Sequence, residues 1–361
     1  MKTAITNVGV FDGRDMRAPE TVVIDGDHIG TDPTGADVID GSGATLMPGL
    51  IDAHVHLHGP ETLEQLAGYG VTTALDMATW PPALVDSLRG RRGVTDIRSA
   101  GTAATATGSA HSRIPGFPKS GLVDSPAAAP QFVADRVAEG SDYIKIIADI
   151  PGPDQATLNA LVGAAHEHGK LTVAHAVSSV AFAMALAARV DVITHAPLDQ
   201  AIDEAAVATM VTDGRLSIPT LSMMEGVVRQ GGKPGADYGA ARASVTALYR
   251  AGVPILAGTD ANAAPGVPAA IRHGESLHHE LELLVDAGVS TLDALRAATS
   301  LPAQYFRLAD RGVIEPGRRA DLLLLGSDPT ENVRATRDIR RIWCNGVERT
   351  VTAAEAEGTA Q

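Results

Sequence analysis

Pro48-Gly49-Leu50-Ile51-Asp52-Ala53-His54-Val55-His56 is the stretch on which the reading of this chain turns. An apolar run leads into two histidines at i and i+2. Alternate side chains of a β-strand share a face, so His54 and His56 are expected to point one way and Val55 the other. Two imidazoles on one face of a strand end make half a metal site. The competing reading is a pair of core histidines bonded to backbone, and the rest of the chain arbitrates.

Before this run, residues 1–47 read as short strands and turns. Ala4–Phe11 alternates, Asp12-Gly13 turns, Thr21–Ile24 is apolar, and Gly41-Ser42-Gly43 breaks the chain. After it, apolar strand patterns alternate with Ala- and Leu-rich helical ones. Eight strands are expected: Leu50–His54, Val71–Met77, Ile97–Ala103, Tyr143–Ala148, Leu171–Ala176, Val190–His195, Leu216–Leu221 and Pro254–Thr259. Strands in such alternation pair in parallel, and eight βα units close into a barrel. From Gly312 the β character returns in Ala320–Leu325, Ile339–Cys344 and Val347–Thr350, around the turn Asn345-Gly346. The expected architecture is therefore α/β: a (β/α)8 TIM-like barrel over residues 48–309. A small β-sandwich domain from both chain termini, 1–47 and 310–361, stands beside it. The tail Ala353–Gln361 is expected to fray.

Composition narrows the function. Of 361 residues, Lys and Arg total 29 against 43 Asp and Glu, a net charge of −14, which argues against a nucleic-acid partner. Hydrophobic residues make up 45 %, enough for a sizeable core, while aromatics are 3 %, leaving packing to aliphatic side chains. The lone cysteine, Cys344, allows no intrachain disulfide. The N-terminal residues lack a signal-peptide core and no run reaches the ~18 apolar residues of a membrane span. A cytoplasmic protein with no membrane partner is expected.

The strand ends carry the chemistry. Strand four holds Lys145 between isoleucines, strand five ends at His175, strand six at His195, and strand eight runs into Asp260. A buried lysine is driven toward its neutral, nucleophilic amine. Each residue alone has a structural explanation, but all of them at the C-terminal ends of neighbouring strands point to one site. Three long stretches, Ala104–Pro130, Ser222–Asp237 and Ala261–Glu275, are expected as loops walling it.

His54, His56, Lys145, His175, His195 and Asp260, in that order, resemble the ligand set of the amidohydrolase superfamily, in its binuclear branch with a bridging lysine. More narrowly the chain resembles imidazolonepropionase-like and prolidase-like metal-dependent amidohydrolases. The stretches MPGLIDAHVH, GTDA at 258–261, 273–304 and 312–329 carry the same likeness, which covers nearly the whole chain. It implies two divalent ions, Zn2+ by donor type with Mn2+ or another first-row ion left open. It also implies a CO2-derived carbamate on Lys145 bridging them. His54, His56 and Asp260 would hold the more buried ion, and His175 and His195 the other. A hydroxide would bridge the pair, with Asp260 as general base and acid. Imidazolonepropionase itself lacks the bridging lysine.

Further residues follow from the same likeness. Thr105–His111 resembles the family's TGGH-like loop, so His111 is expected at a substrate carbonyl as a catalytic group, with Arg113 and His273 as candidate substrate contacts. His278 is expected at a helix start. Relatives often carry a tyrosine after the strand-five histidine; here His175-Ala176-Val177 has none, which argues against a peptidase-like substrate. The expected activity is hydrolysis of an amide or related C–N bond in a small molecule. A lactonase, carbamate or phosphoester hydrolase, or deaminase is the alternative, and a non-catalytic scaffold the third reading. Relatives are often multimers, so a homo-oligomer is the expected state.

Overall fold

The computed structural model describes residues 2–231, 235–264 and 266–351. The tail Ala353–Gln361 lies outside them.

Strands from both ends of the chain share one eight-stranded sheet. β1 (Lys2–Phe11), β2 (Met16–Asp25), β3 (His28–Gly30), β4 (Asp37–Asp40) and β5 (Thr45–Pro48) come from the start. β5 pairs in parallel with β1 through Gly9 and Val10, and antiparallel with a C-terminal strand, Leu322–Leu325. The buried faces of this sheet meet around Trp343, Ile5, Leu46 and Leu324. The terminal strands thus extend one continuous sheet, and the expected second layer of a sandwich is not assigned among the described residues. The reason is physical: β5 offers both of its edges, and each chain terminus satisfies one.

Between these ends lie two parallel sheets. β6 (Leu50–Val55), β7 (Val71–Asp76) and β8 (Asp96–Ser99) form one. β9 (Ile144–Ile147), β10 (Thr172–His175), β11 (Val192–Thr194) and β12 (Leu216–Ile218) form the other. β13 (Leu322–Leu325), β14 (Ile339–Cys344) and β15 (Val347–Arg349) return to the terminal sheet. Helices separate the parallel strands and begin on side-chain caps: Asp154, Ser178 and Asp203 accept from the amides of Thr157, Ala181 and Ala206. Alternate residues divide two cores. Leu50, Ala74, Ile144, Ile146, Ala174 and Ile193 face the helices. Ile51, Leu75, Val173, Val192, Leu216 and Leu256 from both sheets meet in one inner cluster.

Two expectations need correction. Residues 254–261 are not a regular strand but an extended segment held by the bridges Ser217↔Ile255 and Val55↔Ala261 and by Ala53 N–H donating to Ala257 O. Gly258 is required there, because a Cβ would meet the His54 Cβ and backbone nitrogen at 2.8 Å. The stretch after β12 is no loop at its start: Leu221–Arg229 is helical, burying Leu221, Met224 and Val227. Its first amides donate to the Glu280 carboxylate at 2.8 and 2.6 Å, a cap supplied from another helix.

His278 belongs to this scaffold. It lies within the helix Glu275–Asp286, buried, its ring nitrogens 3.0 Å from Thr336 Oγ1 and from Tyr69 O. Burial pushes its pKa down to about 4, so the unfolded chain binds the proton more readily. The stability this gives is complete above pH 6.5 and is lost as pH falls toward 4. In urea unfolding, His278→Gln is expected to shrink the difference in stability between pH 7 and pH 4.5 by about 2 kcal/mol. An unchanged difference would remove His278 as its source.

Candidate metal centre

The C-terminal ends of the parallel strands, with the loop after β8 that carries His111, bring five imidazoles into a row. Ring centroids step 5.7 Å from His56 to His54, 5.0 Å to His195, 4.4 Å to His175 and 4.6 Å to His111. Asp260 lies along one side. Its Oδ1 is 3.3 Å from His54 Nε2 and 3.0 Å from His56 Nε2, and its Oδ2 is 3.9 Å from His195 Nδ1. His54 and His56 do share a side, as the i, i+2 spacing predicts.

The backbone is bent to achieve this. His195, Thr220 and Asp260 all have left-handed φ, at 74°, 49° and 56°. Non-glycine residues held there cost on the order of 1–3 kcal/mol each and persist where surrounding structure enforces them. Asp52 does the enforcing on one side. Its buried carboxylate accepts from the amides of His54 and Thr259 at 3.1 Å and from Thr259 Oγ1 at 2.7 Å, tying β6 to the segment carrying Asp260. Burial raises its pKa to about 7. Asp76 accepts from the Leu57 amide and from Thr79 Oγ1, fixing the turn after His56.

Tautomers follow from the acceptors. His56 Nδ1 lies 3.2 Å from Ala78 O and its Nε2 3.0 Å from Asp260 Oδ1; burial would lower this imidazole's pKa, but the Asp260 carboxylate raises it. His273 Nε2–H donates to His56 O at 2.8 Å. His195 Nδ1 is 2.7 Å from Thr220 Oγ1, while its Nε2 is buried without a hydrogen-bond partner. Burial drives His54 down to about 3 and His195 well below its ordinary value, so both rings are neutral at pH 7. Burial would raise Asp260, but the neighbouring imidazoles, His54 foremost, hold it well below the usual carboxylate range. Lys145 is 2 % exposed, its Nζ donating to Thr194 Oγ1 at 3.2 Å. Burial brings its pKa down to about 7.

Imidazole nitrogens around ionised carboxylates are a cation's donor set. One ligand atom each from His54, His195 and Asp260 falls within 4.8 Å of the others, and the same holds for His111, Asp149 and His175. The orphaned, buried Nε2 of His195 shows that the residues fit such an ion. Asp149 was not expected. It sits beyond β9, with Oδ1 3.4 Å from His175 Nε2 and Oδ2 3.4 Å from His111 Nδ1. Arg113 donates to Gly108 O within its own loop. His273 supports the His56 backbone as described.

A metal-ready cluster at the ends of parallel strands defines an α/β protein of the metallohydrolase class. The chain belongs to the amidohydrolase family, whose model matches residues 45–354, and as a member it is a hydrolase acting on C–N bonds. An uncharacterized protein of Mycobacterium bovis (strain ATCC BAA-935 / AF2122/97) is 26 % identical over 345 residues, 88 % of each chain. Among solved structures, a Xaa-Pro dipeptidase with bound methionine in the active site superimposes with a TM-score of 0.83 at 23 % identity. It covers 97 % of this chain and 100 % of its own. Phenylurea hydrolase B gives 0.80 at 22 % identity, covering 97 % of each. These two likenesses are of fold. Among the described residues no helix is long and apolar enough to cross a membrane.

Proposed function

We propose a two-metal hydrolase that cleaves an amide or related C–N bond of a small molecule. The observation that carries this is the convergence of His54, His195 and Asp260 donor atoms at the strand ends, with His56, His175 and Lys145 beside them. Those six residues would hold two divalent ions, Zn2+ or another first-row metal, with Lys145 carboxylated by CO2. Bound there, such ions acidify water and polarise a carbonyl. Asp260 accepts the proton of the attacking water and passes it to the leaving nitrogen. The neutral His54 and His195 stay unprotonated at pH 7 and available as donors. The scaffold is a (β/α)8 barrel over residues 48–309, with a domain from 1–47 and 310–361. Its support is the single inner cluster shared by both parallel sheets and the bridges joining them. A cytoplasmic location belongs to the same reading.

The test is a screen of N-acyl amino acids, dipeptides, cyclic amides, ureas and lactones against protein loaded with Zn2+ or Mn2+. C–N hydrolysis that a chelator abolishes and added metal restores is expected. Protein that takes up no stoichiometric metal would end the proposal. So would lactone cleavage alone.

A further inference from the structure

Thr220 has the wrong conformation for the place it occupies. It stands between β12 and the helix Leu221–Arg229, and its carbonyl accepts the first helical bond from the Met224 amide at 3.0 Å. A threonine at such a helix start is ordinarily extended, its hydroxyl accepting from the amide of the second or third helical residue. Here φ and ψ are 49° and 50°, and the side chain makes no capping bond. A β-branched residue seldom takes up this left-handed backbone. The buried hydroxyl is turned off the helix and lies 2.7 Å from His195 Nδ1. Asp260 Oδ2 stands off the same nitrogen at 3.9 Å, beyond a hydrogen bond. The cap that Thr220 vacates is filled from the helix Glu275–Asp286. Glu280, itself buried, accepts from the Leu221 and Ser222 amides through separate oxygens.

We infer that Thr220 is a positioning residue for His195 as a metal ligand, and that Glu280, by capping the helix in its place, releases Thr220 for that role. This deepens the two-metal reading and rests on it. An imidazole whose Nδ1–H donates to a fixed oxygen keeps its lone pair on Nε2. Nε2 is the His195 nitrogen that is buried without a hydrogen-bond partner. The reverse arrangement, with the hydroxyl donating to Nδ1, would put a proton on that Nε2 and leave it unmatched. The His195 amide donates to Ile218 O at 2.9 Å, so the segment 218–220 holds both the backbone and the ring of His195. Glu280 acts at one remove. Without its oxygens the Leu221 and Ser222 amides would be buried donors lacking an acceptor, and the Thr220 hydroxyl is the group a helix start normally lends them.

The experiment reads the ring and the ions separately. Nuclear magnetic resonance of metal-free protein with isotope-labelled histidine, its His195 signal assigned by loss in His195→Gln, is expected to show the Nδ1–H tautomer. An Nε2–H ring in wild type would overturn the inference. Zn2+ is then titrated by calorimetry into chelator-stripped, bicarbonate-treated protein, and wild type is expected to bind two ions. Thr220→Val keeps the shape and removes the hydroxyl; it is expected to weaken one ion about 10–100-fold, the usual cost of losing a partner behind a ligand. Thr220→Ser is expected to stay within about threefold of wild type. Glu280→Gln is expected to weaken the same ion and to add nothing further in the Thr220→Val background, whereas independent, additive losses would remove Glu280 from the arrangement. Two ions in Thr220→Val with affinities within about threefold of wild type would overturn the inference and leave the hydrolase reading standing. A wild type that binds no ion would overturn both. Far-ultraviolet circular dichroism and a thermal melt of each variant confirm that the fold is intact.

Discussion

Asp260→Asn is expected to lower kcat by about 10³-fold at saturating metal while moving the melting temperature by only a few degrees. General acid–base transfer by a placed side chain is worth about 10²–10⁴-fold. Asparagine is isosteric and retains an oxygen facing His54 and His56, but it cannot take up a proton. It also tolerates the left-handed backbone at this position, where φ is 56°. The substitution therefore separates chemistry from folding. Metal content is measured alongside, because the same carboxylate lies 3.0–3.3 Å from two imidazole nitrogens of the proposed site. Activity within tenfold of wild type with metal retained would strip Asp260 of its role.

Lys145→Ala is expected to be as severe, through the metal. Lys145 is one of five lysines in the chain, and among the described residues no carboxylate lies within ion-pair distance of its amine. A buried ammonium hydrogen-bonded to a threonine hydroxyl is costly, and burial outweighs the pull of Asp260 and Asp76, so its pKa falls to about 7. The neutral share grows as pH rises through 7, and only the neutral amine attacks CO2. Bicarbonate activation of CO2-stripped protein should accordingly be weak at pH 6 and strong at pH 8. In Lys145→Ala, metal content should drop and activity fall about 10³-fold or more, with partial recovery on adding acetate or propionate to fill the space. Unchanged metal content, or equal bicarbonate response at pH 6 and 8, would remove the carbamate.

Much of this site was legible because its residues violate local expectation. Two histidines in register at an apolar strand end, and a lysine between isoleucines, are expensive unless they do something. Asp52 carried the same signal, a carboxylate inside an apolar run, and its clamp on Thr259 could have been anticipated. Asp149 could not. It stands in Ala148-Asp149-Ile150-Pro151-Gly152, where an aspartate reads as an ordinary turn residue, and only the fold brings His111 and His175 to it. Seven of the eight expected parallel strands were readable from the alternation of periods, but 254–261 pairs through backbone at isolated points that no side-chain pattern records. The helix Leu221–Arg229 was obscured for a related reason: its cap, Glu280, comes from a distant part of the sequence. The terminal sheet depends on nonlocal edge pairing in the same way.

That sheet has a consequence for how the chain comes to be made. Thr45 pairs with Leu325, so β5 emerges from the ribosome with one edge bare and waits until residues 49–321 have been made before β13 arrives. Through that interval the exposed edge is a template for any passing strand, including its own copy on a neighbouring ribosome of the same polysome. Chains stalled or cleaved before residue 322 should therefore cling to chaperones or to one another, however well their central portion has collapsed.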